Sequence, residues 1–556
     1  MLKELVRERL REAAKKLGAG EELEIELDWP ERPEFGDLST NLAFHLRLGT
    51  GSRGSPREVG ERLISMLDRE PFAKVELAGS GFVNFFFKPE VIHRVLRAVL
   101  EEGEGYGRAS LGEGKRVQVE HGSANPTGPL HVGFARNVVL GDTIANLLEN
   151  LGYRVHREYY VNDAGTQVEL FAKSLYYRYA EALGAEPPFP FPEGGYRGDY
   201  IAEWAGELAR AEGDRLLRLP LEEALEEVKE YGLRRVLEGV REDLERLNVR
   251  YDSWFHERKL YEQGTIDEAM KRLRAGGYIY EKDGAVWFKA TALGAEKDEV
   301  LIRRDGRPGY FASDVAYHYD KFVKRGFDWV IDVWGADHQG HVPRMLSMMR
   351  AFGLDPSRLS IIIYQLVTLK RAGEEVRLSK RAGELVTLRE LIDEVGPDVA
   401  RYFLLSRSPD THLEFDLELA KRQSLDNPVY YIQYAHTRIA GIFRELEERE
   451  GGKDGRFAGW EEADLGPLRA REELELIKKL DAFPEVLRDA ALNFAPHLLA
   501  NYAYQLAALF HGFYDRYRVL GEDVELSKAR LALCRGVQLV LRRALGLMGV
   551  SAPERM

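Results

Sequence analysis

Two strand-length apolar runs constrain this chain most: Trp329-Val-Ile-Asp-Val-Trp334 and Ile361-Ile-Ile-Tyr364. Such runs belong to strands covered on both faces. Upstream, Val117 and Val119 alternate with Gln118 and Glu120, a strand pattern with two distinct faces. The turn HGSANPTGP follows, then a helix whose Ile144, Leu147, Leu148 and Leu151 form one stripe. Buried strands with helices between them predict an α/β fold built on a doubly wound sheet. The 556 residues allow three or four domains at ~150 residues each. Residues 1–110 read as α+β, with a strand-like run from Gly81 to Phe87. Residues 111–395 hold the sheet, with a mostly helical insertion over roughly 170–300. Residues 396–556 read as an all-α bundle, clearest from Tyr502 to Tyr514 and from Leu531 to Met548. Stretches at 48–56, 186–199 and 450–459 have the composition of loops or boundaries.

Composition closes off several classes. Cys534 is the single cysteine, so a disulfide framework within the chain is impossible, as is a zinc site built on two or more cysteines. The expected compartment is reducing, the cytoplasm. The opening MLKELVRERLREAAKKLG lacks an uninterrupted apolar core and reads as a charged amphipathic helix, not a signal peptide. The most apolar stretch, Phe494 to Tyr514, is broken by His497, Asn501, Gln505 and His511, so no membrane span is expected. A formal charge of −13 on its own points away from nucleic acid, whose binders are often basic. Overall charge does not fix local potential, so that class stays open.

Three segments carry candidate chemistry. The first joins a strand to a helix: Ser123-Ala-Asn-Pro-Thr-Gly-Pro-Leu-His131-Val-Gly133-Phe134. Gly133 lets backbone approach a ligand, His131 can donate to a phosphate oxygen, and the helix N-terminus suits an anion. An ordinary strand–helix turn is the plain alternative. The second follows the Trp329–Trp334 run and contains Gly335, Asp337, His338, Gln339 and His341. Asp337 could accept from ribose hydroxyls beside Gly335, or simply cap the next helix. The third is Arg377-Leu-Ser379-Lys380-Arg381, flanked by Gly373 and Gly383. Its cations suit a triphosphate on its way to pyrophosphate, although most basic loops are solvated surface. No Walker A pattern occurs.

Taken together, order and spacing resemble a class I aminoacyl-tRNA synthetase. The H-x-G-H motif matches His131 to Phe134, and the K-M-S-K-S loop matches 377–381. Phe134 replaces the second histidine and cannot hydrogen-bond phosphate; Arg377 replaces the first lysine. Lys380 matches the second lysine. VEHGSANPTGPLHVG, YYVNDAG, RDGRPGYFASDVAYH, LSKRAGELVTLRELI, NPVYYIQYAHTRI and the terminal SAPERM narrow the resemblance to arginyl-tRNA synthetase of bacterial type, from about residue 30 to the end. The resemblance implies a Rossmann-type catalytic domain between an N-terminal domain that binds the tRNA elbow and a helical anticodon-binding domain. It implies ATP-dependent attachment of arginine to its tRNA through arginyl-adenylate, with Mg²⁺ accompanying ATP, no tightly bound cofactor and no resident metal site. Activation in this family usually requires bound tRNA, and its members are often monomers.

By resemblance, His131, Gly133 and Lys380 are catalytic. Phe134, Gly335, Asp337 and Ser379 join them around ATP. Glu120, Ser123 and Asn125 hold polar groups of the arginine. Tyr310 and Asp314 hold its guanidinium side, and His338 or Gln339 completes the pocket. A guanidinium wants carboxylates placed for bidentate hydrogen bonds, which a lysine ammonium cannot satisfy in the same way. No separate editing domain is expected. Tyr431, Tyr434 and Arg438 lie beside the apolar stripe Ile432, Ala435, Ile439, Ile442 and Leu446, and suit unstacked bases. The family places anticodon recognition there and at Met556, and elbow contact at Phe82 and Asn84. An acidic protein that binds tRNA needs its basic residues gathered along the binding faces, with affinity that falls as salt rises. Two rivals remain: a tRNA-binding paralogue with little catalysis because of Phe134, and a synthetase for another amino acid.

Overall fold

The structure is a computed structural model describing residues 1–19, 23–30, 32–46, 54–376, 386–449 and 455–556. Five parallel strands form the central sheet: β1 (Arg116–Glu120), β2 (Arg154–Val161), β3 (Ser253–His256), β4 (Trp329–Gly335) and β5 (Leu359–Tyr364). Their order is β5-β4-β1-β2-β3, so the winding reverses between β1 and β4. Ligands of such sheets lie beyond the carboxyl ends of the strands at that switch. The helix α1 (Val132–Asn150) leaves β1 through the HGSANPTGP turn, and its Ile144, Leu147, Leu148 and Leu151 are all buried. The apolar runs form core strands as expected, with Val330, Ile331, Val333 and Ile362 buried.

Two features differ from the sequence reading. The polar face of β1 is buried too: Gln118 Nε2 donates to Glu158 Oε1 on β2 at 2.5 Å, and Glu120 is 8% exposed. In a sheet covered on both sides, the alternation marks an internal polar network, not a solvent face. Reading 170–300 as mostly helical also misses strands. Helices Thr166–Ala182, Asp199–Glu212 and Leu221–Arg246 fill the β2–β3 connection, but β3 then rejoins the sheet. A small antiparallel sheet of Ile279–Lys282, Ala285–Phe288 and Glu299–Ile302 precedes α2 (Tyr310–Tyr319). These strands are four residues each, and β3 lies at the sheet edge, so no long apolar run announces them.

In the N-terminal part, Phe82–Phe87 is the middle strand of a three-stranded antiparallel sheet with Leu38–Thr40 and Phe72–Ala78. The C-terminal part is dominated by α3 (Pro428–Arg449), α4 (His497–Arg516) and α5 (Val524–Leu547). The N-terminal segment and the bundle meet. The Met1 ammonium lies 2.9 Å from Asp481, Lys3 pairs with Glu485 at 2.8 Å, and Lys478 pairs with Asp37 at 2.6 Å. Fully buried Arg401 joins α1 to the end of the bundle: it donates to Met548 O at 2.6 Å and Leu247 O at 2.9 Å, and pairs with Asp142 of α1. No helix among the described residues is long and apolar enough to cross a membrane.

Candidate active site

Three carboxylates lie around Tyr160 of β2. Glu120 ends β1, Glu257 follows β3, and Asp314 lies one turn into α2. All three face Tyr160 on β2, whose hydroxyl is held well above the usual tyrosine range by burial and then by Glu257, Asp314 and Glu120. Glu257 is buried and has no cationic partner among the described residues. Burial pushes its carboxyl up to about 7, with Asp314 and Asp163 adding to the rise and a Ser313 hydrogen bond opposing it. Asp314 is also raised by burial, opposed by His318 and Arg344, although its side chain remains 41% exposed at the cleft mouth. Its nearest cation, Arg344, is 3.7 Å away and shared with Glu299 at 3.4 Å. A pocket with surplus buried negative charge is chemically suited to a cation.

The remaining predicted arginine-site residues are distributed around it. Ser123 Oγ donates to Glu120 Oε1 at 2.9 Å and accepts from Tyr160 N at 3.1 Å, tying β1 to β2. Asn125 is exposed, and its amide donates to Gln167 Oε1 at 2.9 Å. Tyr310 opens α2, is 75% exposed and carries the Arg303 guanidinium over its ring at 5.3 Å. His338 lies within electrostatic reach of Asp314, while Gln339 is exposed beside it.

Glu120 has an inward partner that sequence reasoning missed. The fully buried Lys321 donates to Glu120 Oε2 at 2.6 Å and to Asp332 Oδ1 at 2.8 Å. His318 Nε2 lies 2.8 Å from Asp332 Oδ2. Lys321 belongs to a single π-helical turn, Asp320–Lys324, that continues α2. Burial raises the Glu120 carboxyl, and Lys321 opposes the rise. Asp332 is held at about 2, because Lys321 and His318 outweigh its burial. In sequence, Lys321 looks like one of several charged residues ending an amphipathic helix; only the π turn brings it inward.

The phosphate corner adjoins this pocket. His131 caps α1: Gly133 N donates to His131 Nδ1 at 3.1 Å, which leaves the ring proton on Nε2. A Cβ on Gly133 would sit 2.7 Å from His131 Cε1, so any larger residue would push the histidine ring aside. Phe134 packs against the core with its ring 4.6 Å from His131. Ser379 and Lys380 lie outside the described residues. The chain just beyond them is bonded to this corner, with Val132 N donating to Val386 O at 3.0 Å and Leu388 N to Leu130 O at 2.8 Å. Across the cleft, a Cβ on Gly335 would lie 2.5 Å from Asp337 Oδ1, so the space above the glycine holds that carboxylate. Asp337 is exposed and makes no capping bond to the following helix.

The predicted nucleic-acid residues are split between surface and interior. On α3, the stripe Ile432, Ala435, Ile439, Ile442 and Leu446 is buried. Beside it, Tyr431 packs 5.1 Å from Tyr504 and 4.5 Å from His511 of α4. Arg438 lies over Tyr434 at 4.6 Å and Tyr514 at 5.0 Å. Tyr504, His511 and Tyr514 are not legible from α3 alone. The tail crosses α3, where His436 Nδ1 and Thr437 Oγ1 each lie 2.9 Å from Pro553 O, and it ends on exposed Met556. In the N-terminal sheet Phe82 is exposed, with its ring 5.2 Å from that of Phe44. Asn84 is 3% exposed and accepts from Ser39 Oγ at 2.7 Å, so pairing with the neighbouring strand turns it inward, unlike the surface role expected of it.

Cys534 is buried, with its thiol pushed up to about 12 by desolvation, which suits packing and not nucleophilic chemistry.

Comparison with known proteins finds three family matches along the chain. Residues 2–87 match the arginyl tRNA synthetase N-terminal domain, 95–418 the class I (R) tRNA synthetase catalytic domain, and 432–556 the DALR anticodon binding domain. An arginine–tRNA ligase of Caldanaerobacter subterraneus is 47% identical over 100% of this chain and 98% of its own length. One from Desulforudis audaxviator is 50% identical over 95% of this chain and 92% of its own. The fold is that of the Thermus thermophilus arginyl-tRNA synthetase structure, with a TM-score of 0.76 at 22% identity over 100% of both chains. A catalytic-domain match spanning more than half of the chain, and relatives close to half identical along its full length, make this chain a member of the class I arginyl-tRNA synthetase family.

Proposed function

We infer that the protein is an arginine–tRNA ligase. The arginine carboxylate attacks the α-phosphate of ATP, giving arginyl-adenylate and pyrophosphate. The terminal 2′-hydroxyl of the tRNA then attacks the activated carbonyl and releases AMP. Neither step needs a covalent protein nucleophile, so the chain's contribution is positioning and electrostatics.

The observation that carries this reading is buried Glu257, without a cation among the described residues, facing Tyr160 together with Asp314 and Glu120. In this reading Glu257, Asp314 and Glu120 receive the guanidinium, with Tyr310 over it. Ser123 and Asn125 orient the α-carbon end, and His338 or Gln339 closes the pocket. His131 donates from Nε2 to the α-phosphate at the α1 N-terminus, beside Gly133 and Phe134. Gly335 and Asp337 face the ribose, and Ser379 and Lys380 receive the departing pyrophosphate. Magnesium enters with ATP. The tRNA lies along Phe82, the Tyr431–Tyr434–Arg438 face and Met556, in contacts that weaken with salt. The enzyme works as a monomer in the cytoplasm.

Charging of the arginine tRNA with labelled arginine, ATP and Mg²⁺ tests this reading. Product formation, sharply slowed by Lys380→Ala, is expected. Absence of product with the matching tRNA overturns it and favours the non-catalytic paralogue.

A further inference from the structure

We propose that Lys321 is a positioning residue for arginine recognition: its buried ammonium holds Glu120 by Oε2, so that Oε1, which accepts from Ser123 Oγ at 2.9 Å, has its second lone pair for the substrate. The proposal rests on the reading that Glu120 contacts arginine.

The geometry accounts for every donor of the ammonium. Lys321 Nζ meets Glu120 Oε2 at 2.6 Å and Asp332 Oδ1 at 2.8 Å, and lies 4.1 Å from the centre of the Tyr317 ring. Three donors therefore find two carboxylates and one aromatic face. Glu120 and Asp332 are register partners on adjacent parallel strands, a pairing of like charges that needs a cation between them. The π turn supplies it by pointing Lys321 back beneath the strands.

A cation beneath a cation-binding pocket looks counterproductive until the charges are counted. Asp332 neutralises Lys321, so Glu120 keeps its own negative charge for an incoming guanidinium. His318 completes the arrangement: its Nε2 contacts Asp332, and its Nδ1 lies 2.8 Å from the carbonyl oxygen of Asp314. One network thus braces two of the pocket's carboxylate-bearing residues. It also alters the expected recognition geometry. With Oε2 committed to Lys321 and Oε1 shared with Ser123 Oγ, Glu120 offers substrate a single oxygen at most, and any bidentate partner must be Asp314 or Glu257.

The test measures arginine KM, ATP KM and the pH dependence of arginine KM during tRNA charging, for Lys321→Met, Lys321→Arg, Asp332→Asn and Glu120→Gln, with Tm recorded for each. The titratable groups facing Glu120 are Lys321, His318 and Tyr317 from α2 and its π turn, Asp332 from β4, Tyr160 from β2 and Tyr251 from the segment before β3. Lys321→Met should raise arginine KM about 10- to 100-fold, far more than ATP KM. It should also move the acid rise of arginine KM to higher pH, because Glu120 loses its cation. Lys321→Arg should restore part of the affinity. Asp332→Asn should raise arginine KM while moving the acid rise to lower pH, since Lys321 then serves Glu120 alone; this variant decides the matter if Lys321→Met does not fold. A folded Lys321→Met or Asp332→Asn enzyme with unchanged arginine KM and pH profile overturns the proposal, provided Glu120→Gln raises arginine KM. Glu120→Gln without effect overturns the Glu120 assignment itself, and the proposal with it.

Discussion

Glu257 is the residue of the proposed arginine pocket that the sequence shows least. Glu120 and Asp314 stand out beside longer motifs, whereas Glu257 follows a four-residue edge strand and looks like part of a charged surface run, HERK. Its role becomes visible only when β3 is laid beside β2 and the carboxylate is found buried without a cation among the described residues. Because its carboxyl is raised to about 7, it is partly protonated near neutral pH. A guanidinium favours the ionised form, so arginine binding should release a fraction of a proton near pH 7. Calorimetry in buffers of different ionisation enthalpy should record that release, and arginine affinity should rise with pH up to about 7 and then level off. Glu257→Gln should abolish the release and raise arginine KM about 10- to 100-fold, the scale of losing a charge-assisted hydrogen bond.

At the scale of elements, the strand–helix corner and the paired bundle helices each do something their own sequence shows only in part. Gly133 makes room for ligand in the sequence reading, yet the observed reason for glycine is the His131 ring that caps α1. Gly133→Ala should displace that ring and slow adenylate formation about tenfold or more, with Tm nearly unchanged; rapid-quench measurement of adenylate would show it. On α3, the pattern of residues puts Tyr431, Tyr434 and Arg438 on one face. Their partners Tyr504, His511 and Tyr514 come from α4, a helix far along the chain, and no periodicity within α3 points to them. Arg438→Ala or Tyr434→Ala should raise the KM for tRNA about 5- to 100-fold while leaving arginine KM unchanged, as expected for loss of a stacking platform. Equal changes in both constants would show that these residues do not act through tRNA alone.

For the molecule as a whole, the long apolar strands and the helical C-terminal part were legible because each rests on a strong local period. The small antiparallel sheet, the polar network beneath β1 and the clasp between the N-terminal segment and the bundle were not. They depend on contacts between segments distant in sequence. Buried ionisable groups of this kind set the acid response of the fold. His121 is held neutral by burial, with its pKa lowered to about 3. As pH falls below the ordinary histidine value, the unfolded chain takes up that proton before the folded chain does. Stability present above about pH 6.5 is therefore lost progressively toward pH 3. Asp332, depressed to about 2, adds stability above the ordinary aspartate range that is lost as pH falls toward 2. Glu257 acts oppositely, costing stability as pH rises from the ordinary glutamate range to about 7. Thermal melts across pH should show a steep decline on the acid side, shallower in His121→Gln.

The central claim is that the carboxylates around Tyr160 select a planar guanidinium. The most direct measurement is kcat/KM for charging the arginine tRNA with arginine and with lysine in the same assay. A preference for arginine of about 10⁴-fold or more is expected, because a lysine ammonium leaves buried acceptors unpaired. Charging with lysine within about tenfold of arginine, well inside what one mismatched apolar contact would give, would contradict it.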